Sequence, residues 1–206
     1  MQVDFIFQIA ILIMSVVVHE VSHGFAANSL GDPTAKYDGR LTLNPAKHLD
    51  PVGSFLVPAI SYFAGGFIFG WARPVPYNPH NLRPGRLSEP LVAAAGPASN
   101  IVIALIFGAI LRVATSGGYA TPAFVEITSL VIFINVLLAI FNLMPIPPLD
   151  GSKLLFALFP ESLYKMRYAF ERYGLILVIL FIFVIWQFVS PVVFWLFGLI
   201  SGISLI

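Results

Sequence analysis

The chain reads as an all-α polytopic membrane protein, a helical bundle of five to six membrane segments with a short β-strand or hairpin after the first span. Three observations point there. Of its 206 residues 58% are hydrophobic and 10% charged, and the mean hydropathy is +0.90, far from the balance of a soluble domain. Several apolar runs reach the ~20 residues that cross a hydrocarbon core ~30 Å thick. Beyond the first run, Leu41 and Leu43 alternate with Arg40, Thr42 and Asn44, a period of two that predicts a short strand or hairpin, an edge of which could be free. Residues 1–206 make one domain, with no repeat and no Cys. Disulfides and thiolate metal ligands are thereby excluded, and a net charge of +1 gives no pull toward nucleic acid.

The elements follow in order. Residues 3–28 form a first span, ~39 Å long if helical. No basic stretch and small-residue cleavage site mark it as a signal peptide, so it is expected to stay. Gly31, Asp32 and Pro33 end it. Residues 51–71 are apolar but interrupted by Pro58 and Gly65-Gly66, which fits a short span or a re-entrant hairpin. Prolines 74, 76, 79 and 84 make residues 73–84 an extended loop. Residues 91–113 and 124–142 are clear spans. Pro145, Pro147 and Pro148 then forbid a regular helix, so the chain is extended up to Asp150. Residues 173–206 are too long for one span, and Ser190-Pro191 offers a break between two.

The chemistry is concentrated at residues 19–23, His-Glu-Val-Ser-His, inside the first span. On a helix His19, His23 and Glu20 lie at roughly 0°, 40° and 100°, in one sector about one turn long. Two imidazoles at this spacing hold one zinc while Glu20 reaches a water on it. A chance match on a surface helix is the bland alternative. It is weakened by depth, because a carboxylate inside a membrane costs about 2.5 to 3.5 kcal/mol and faces a bundle interior or a wet cavity.

Lys and Arg set the orientation. Lys36, Arg40 and Lys47, then Arg73, Arg83 and Arg86, then Lys153, Lys165, Arg167 and Arg172 occupy three connections that should share the cytoplasmic side, whereas the link at 112–123 holds Arg112 alone. The first span then runs inward, residues 51–71 enter and leave on one face, and Asp150 arrives at the depth of His19 and His23. A catalytic zinc takes three protein ligands, and Asp150 is the best third; its alternative is a plain helix N-cap. Asp4, Asp32, Asp38, Asp50, Glu89, Glu126, Glu161 and Glu171 read as solvated, and His48 and His80 as surface groups.

HEVSH in a span, Gly96-Pro97-Ala98-Ser99-Asn100 opening another, and Asn142-Leu-Met-Pro-Ile-Pro-Pro-Leu-Asp150-Gly151 closing a third together resemble the site-2 protease family of intramembrane zinc metalloproteases. Gly31-Asp-Pro-Thr and Arg40-Leu-Thr-Leu-Asn-Pro are similar to its compact prokaryotic members, which lack a PDZ insertion and CBS domains. The likeness covers residues 10–155, with the C-terminal membrane helices at 173–206 beyond it. It implies one zinc per chain on His19, His23 and Asp150, with Glu20 as catalytic residue and Asn100 and Asn142 near the active site. It also implies a transmembrane protein substrate in the bilayer of a prokaryotic cell membrane; the basic connections put the site toward the cytoplasm. Water must reach such a site, along a path expected to be lined by Ser22, Asn28, Asn100 and Asn142. The substrate must unwind, and the strand Arg40, Leu41, Thr42, Leu43, Asn44 could clamp it by edge pairing. Two other classes compete, a metal-ion transporter and an inactive membrane scaffold. Glu20 between the histidines and the lack of a second copy of the motif argue against transport. Nothing in the sequence sets the oligomeric state.

Overall fold

The computed structural model describes residues 5–50, 52–57, 60, 63, 73–159, 168 and 170–203. The first helix, α1 (Phe5–Ser29), is an apolar run that ends where Gly31 takes φ 108° and the Asp32 amide turns back to Ala27 O at 2.9 Å. A single turn, α2 (Thr34–Tyr37), follows. The long α3 (Ser88–Ser116) carries Pro97 inside it. In α4 (Pro122–Asn142), Pro122 occupies the first helical position and the Thr121 hydroxyl caps the Phe124 amide at 3.2 Å. The short α5 (Asp150–Leu158) precedes α6 (Gly174–Leu180), which passes through a π-helical turn (Phe181–Ile185) into α7 (Trp186–Ser201).

Among the described residues four helical stretches are long and apolar enough to cross a membrane: Ile6–Ser29, Ser88–Ser116, Pro122–Asn142 and Ile176–Ser201. Helix α1 packs on α3 and α4. Further along the bundle, Ala104 and Leu111 of α3, Ile132 and Val136 of α4, and Val193 and Phe197 of α7 form one apolar core. Gly108 lets Ile200 of α7 come against the α3 backbone, and the Arg112 guanidinium donates to the Leu199 and Ile200 carbonyls that end α7. Large side chains such as Phe183, Phe188 and Trp195 stay exposed on the outer faces, as a lipid solvent allows.

Several expectations change. No strand forms among the described residues: Leu41 and Thr42 form a bend, and local side chains take backbone groups of this stretch. Thr42 Oγ1 accepts the Asn44 amide, Asn44 Oδ1 accepts the Ala46 amide and opens a 3-10 turn (Pro45–Lys47), and His48 Nε2 donates to Thr42 O. Nor does the chain break at Ser190-Pro191. Pro191 cannot bond Gln187 O, and the Ser190 hydroxyl lies 3.5 Å from that carbonyl, so α7 continues through it. Residues 143–149 form tight turns instead of an extended run, with Ile146 N on Met144 O and Leu149 N on Ile146 O. The loop 73–84 holds one 3-10 turn (Pro79–Asn81). Most of the expected 51–71 segment lies outside the described residues; Val52–Leu56 is a π-helical turn.

Candidate metal centre

Helix α1 presents His19 and His23 one turn apart to the interior, and α5 presents Asp150 from its first residue. Asp150 is not an N-cap: Leu149 holds that position, and the carboxylate points at the histidines. The turns of 143–149 bring it there. Gly151 lies so close to the Leu143 carbonyl that no Cβ fits between them. Arg86 holds the far end of α5, Nε donating to Ala157 O at 2.6 Å and Nη2 to Phe159 O at 3.0 Å.

His19 Nε2, His23 Nε2 and Asp150 Oδ2 form a triangle with 3.1 Å sides. Ligands in a tetrahedron about 2.0 Å from a zinc are separated by about 3.3 Å, so the spacing fits that ion. The donor chemistry agrees. His19 Nδ1 donates to Asn100 Oδ1 at 2.6 Å and His23 Nδ1 to Val92 O at 2.7 Å, so both Nε2 atoms turn lone pairs inward. Two lone pairs and a carboxylate oxygen, all buried, repel one another unless a cation lies among them. Gly96 of α3 supplies the seat: a Cβ there would overlap His23 Nε2 and lie 2.6 Å from His19 Nε2.

Glu20 is half-buried beside this triangle, and its Oε2 accepts the Val75 amide at 2.8 Å. Because Pro74 and Pro76 have no N–H, that amide is the one backbone donor of the Pro-Val-Pro tripeptide. Val75 is buried against Gly24 together with Leu41. Arg40, 6% exposed, donates from Nη2 to Arg73 O at 2.7 Å and Pro74 O at 3.2 Å. Further on, fully buried Asp32 accepts from Thr34, from the Asn78 amide at 2.6 Å and from Asn81 Nδ2 at 3.0 Å. Residues 73–81 are thus a strap laid across the end of α1.

Of the other expected residues, Asn100 meets His19, whereas Asn142 donates to Leu138 O of its own helix at 2.9 Å and Ser22 to Val18 O at 2.7 Å. His48 is 1% exposed and Asp32 is buried, so neither is the surface group expected; burial comes from the strap and from the Thr42 carbonyl. His80 is exposed. Sequence reasoning missed Asn135, which donates to Ser15 Oγ at 3.0 Å and accepts from Asn100 Nδ2 at 2.8 Å. Its signal was available: an amide at membrane depth, two turns before Asn142 on an apolar helix.

The model of peptidase family M50 matches residues 108–186. YwhC of Bacillus subtilis (strain 168) is 39% identical over 190 residues, covering 87% of this chain and 84% of that protein. Rip2 of Mycolicibacterium smegmatis is 32% identical over 210 residues, and Rip2 of Mycobacterium tuberculosis (strain H37Rv) 32% over 211; each alignment covers 97% of this chain and 76% of the relative. All three are named as zinc metalloproteases. No solved structure matches the chain.

Proposed function

The chain belongs to peptidase family M50, and from that premise we propose that it is an intramembrane zinc metalloprotease that hydrolyses peptide bonds in or near transmembrane segments of membrane proteins. The observation that carries this is the triangle of His19, His23 and Asp150 with Glu20 at its side, formed on spans that face lipid. His19, His23 and Asp150 would hold one zinc per chain. Bound there, zinc supplies a Lewis acid that brings the pKa of water towards ~7 and polarises a carbonyl.

The protein's own groups do the rest. Glu20 takes a proton from the attacking water and returns it to the leaving amine. The Val75 amide holds one oxygen of Glu20 at 2.8 Å, which keeps the carboxylate at the mouth of the site instead of free in solvent. Asn100 and Val92 hold the imidazoles by their outer nitrogens. A transmembrane substrate helix presents no free carbonyl, so it must unwind before it reaches Glu20. The basic connections support an orientation with this mouth toward the cytoplasm of a prokaryotic cell.

Cleavage of a transmembrane substrate by the purified chain in detergent tests the reading. Glu20→Gln is expected to keep its zinc by elemental analysis and to lose cleavage by about a hundredfold or more. Full activity of Glu20→Gln would overturn the assignment of Glu20, and a zinc-free wild type that cleaves would overturn the metal site.

A further inference from the structure

A chain of buried amides runs from the triangle into the middle of the bundle, and its polarity can be read in one direction. Val131 O is a backbone carbonyl and can only accept, so the atom of Asn135 that lies 2.9 Å from it is the amide nitrogen. The same nitrogen meets Ser15 Oγ at 3.0 Å. Asn135 Oδ1 therefore points away, toward Asn100, and the Asn100 atom 2.8 Å from it must be a donor. The second hydrogen of Asn100 Nδ2 is directed at Ser15 O, a longer contact of 3.4 Å. Asn100 Oδ1 is left to face His19 Nδ1 at 2.6 Å, which must then carry the proton. Asn100 and Asn135 are fully buried and Ser15 is 5% exposed, so no bulk water enters to reverse the order.

We propose that Asn135 is a positioning residue for the metal site: anchored on the Val131 carbonyl, it orients the Asn100 amide, which fixes the tautomer of His19 and turns its Nε2 lone pair toward Asp150 and His23. Asn135 touches none of the three ligand atoms and acts through Asn100. The inference rests on the zinc reading of the triangle. A reversed Asn135 amide would set its oxygen against the Val131 carbonyl, and a reversed Asn100 would offer His19 Nδ1 a donor in place of an acceptor.

The test is a zinc titration of the full chain in detergent, stripped by chelator and then competed against a fluorescent zinc chelator. Asn135→Leu, which keeps the branched shape and heavy-atom count and removes the polarity, is expected to weaken zinc binding 10- to 100-fold, the range found for partners behind metal-bound histidines. Asn100→Ala should do the same. The double variant should be no weaker than the worse single one, because the first change already disconnects the chain. Ser15→Ala, which leaves the Val131 anchor in place, should bind zinc nearly as wild type does. Wild-type affinity in Asn135→Leu, or losses that add in the double variant, would overturn the proposal. If circular dichroism shows that Asn135→Leu does not fold, the cycle is run with Asn135→Ala under the same criteria. A wild type that binds no zinc would instead sink the metalloprotease reading, so the two failures are distinguishable.

Discussion

Gly96 shows how one missing methyl group makes room for chemistry. By intrinsic propensity Gly96→Ala should favour helix α3 by about 1 kcal/mol. Its Cβ, however, would occupy the space of both imidazole Nε2 atoms. Gly96→Ala is therefore expected to hold full helical content while bound zinc falls well below one per chain, measured by circular dichroism and elemental analysis on the same sample. Stoichiometric zinc in that variant would mean that the histidines have room to move aside. Asp150→Ala should lose zinc as well, without an effect on the seat. At this scale much was legible, because His19, Glu20 and His23 sit at helical spacing and an ionisable cluster at membrane depth demands an explanation. Asn135 escaped notice because an amide raises no charge alarm, and its donors and acceptors acquire direction only once Val131, Ser15 and Asn100 are brought together.

The strap at 73–81 belongs to the scale of elements. Its prolines announced a loop, but they could not tell that the loop's sole Pro-Val-Pro amide would be held by Glu20, nor that Arg40 would be drawn from a supposed strand to hold its carbonyls. The alternation at 40–44 misled because a period of two describes a face and carries no information about a partner strand. Pro191 misled in the opposite sense: in water it would end a helix, whereas in an apolar setting a nearby hydroxyl costs less than a broken span. The far end of the strap has a pH dependence with a definite sign. Burial pushes the Asp32 carboxyl up, but hydrogen bonds from Thr34, Asn81 and Asn78 outweigh it and hold the group below its ordinary 3.8. A carboxylate with a depressed folded value stabilises the fold above the ordinary value, and that contribution is lost as pH falls through the depressed one. Amide exchange at Asn78 should therefore be slow at neutral pH and accelerate, relative to intrinsic rates, below pH 3.8. Asp32→Asn, with its single acceptor oxygen, should show fast exchange already at neutral pH. Equal protection in both proteins would mean that Asp32 does not latch the strap.

For the whole molecule, composition and run length announced a bundle in lipid, and four described helices carry that reading. The sidedness is testable because the chain has no Cys. His80→Cys on the strap and Tyr119→Cys at the opposite end of α3 are both exposed positions. In intact cells a membrane-impermeant thiol reagent should label position 119 and spare position 80 until the cells are opened. Labelling of both from outside would refute α3 as a span. The ligand triangle also has a consequence in time. Its two histidines lie in α1, and its carboxylate follows 127 residues after His23. At about 5 to 20 residues per second, α1 waits roughly 6 to 25 s in the translocation machinery with its imidazoles and Glu20 unmatched. Biogenesis must therefore insert and shelter a helix whose polar face has no counterpart yet, and on the proposed reading zinc would be captured only once Asp150 has been made. If the triangle holds zinc as proposed, metal supply would set the fraction of inserted molecules that mature, and starvation should leave a pool of assembled, zinc-free protein in the membrane instead of a shortfall in insertion.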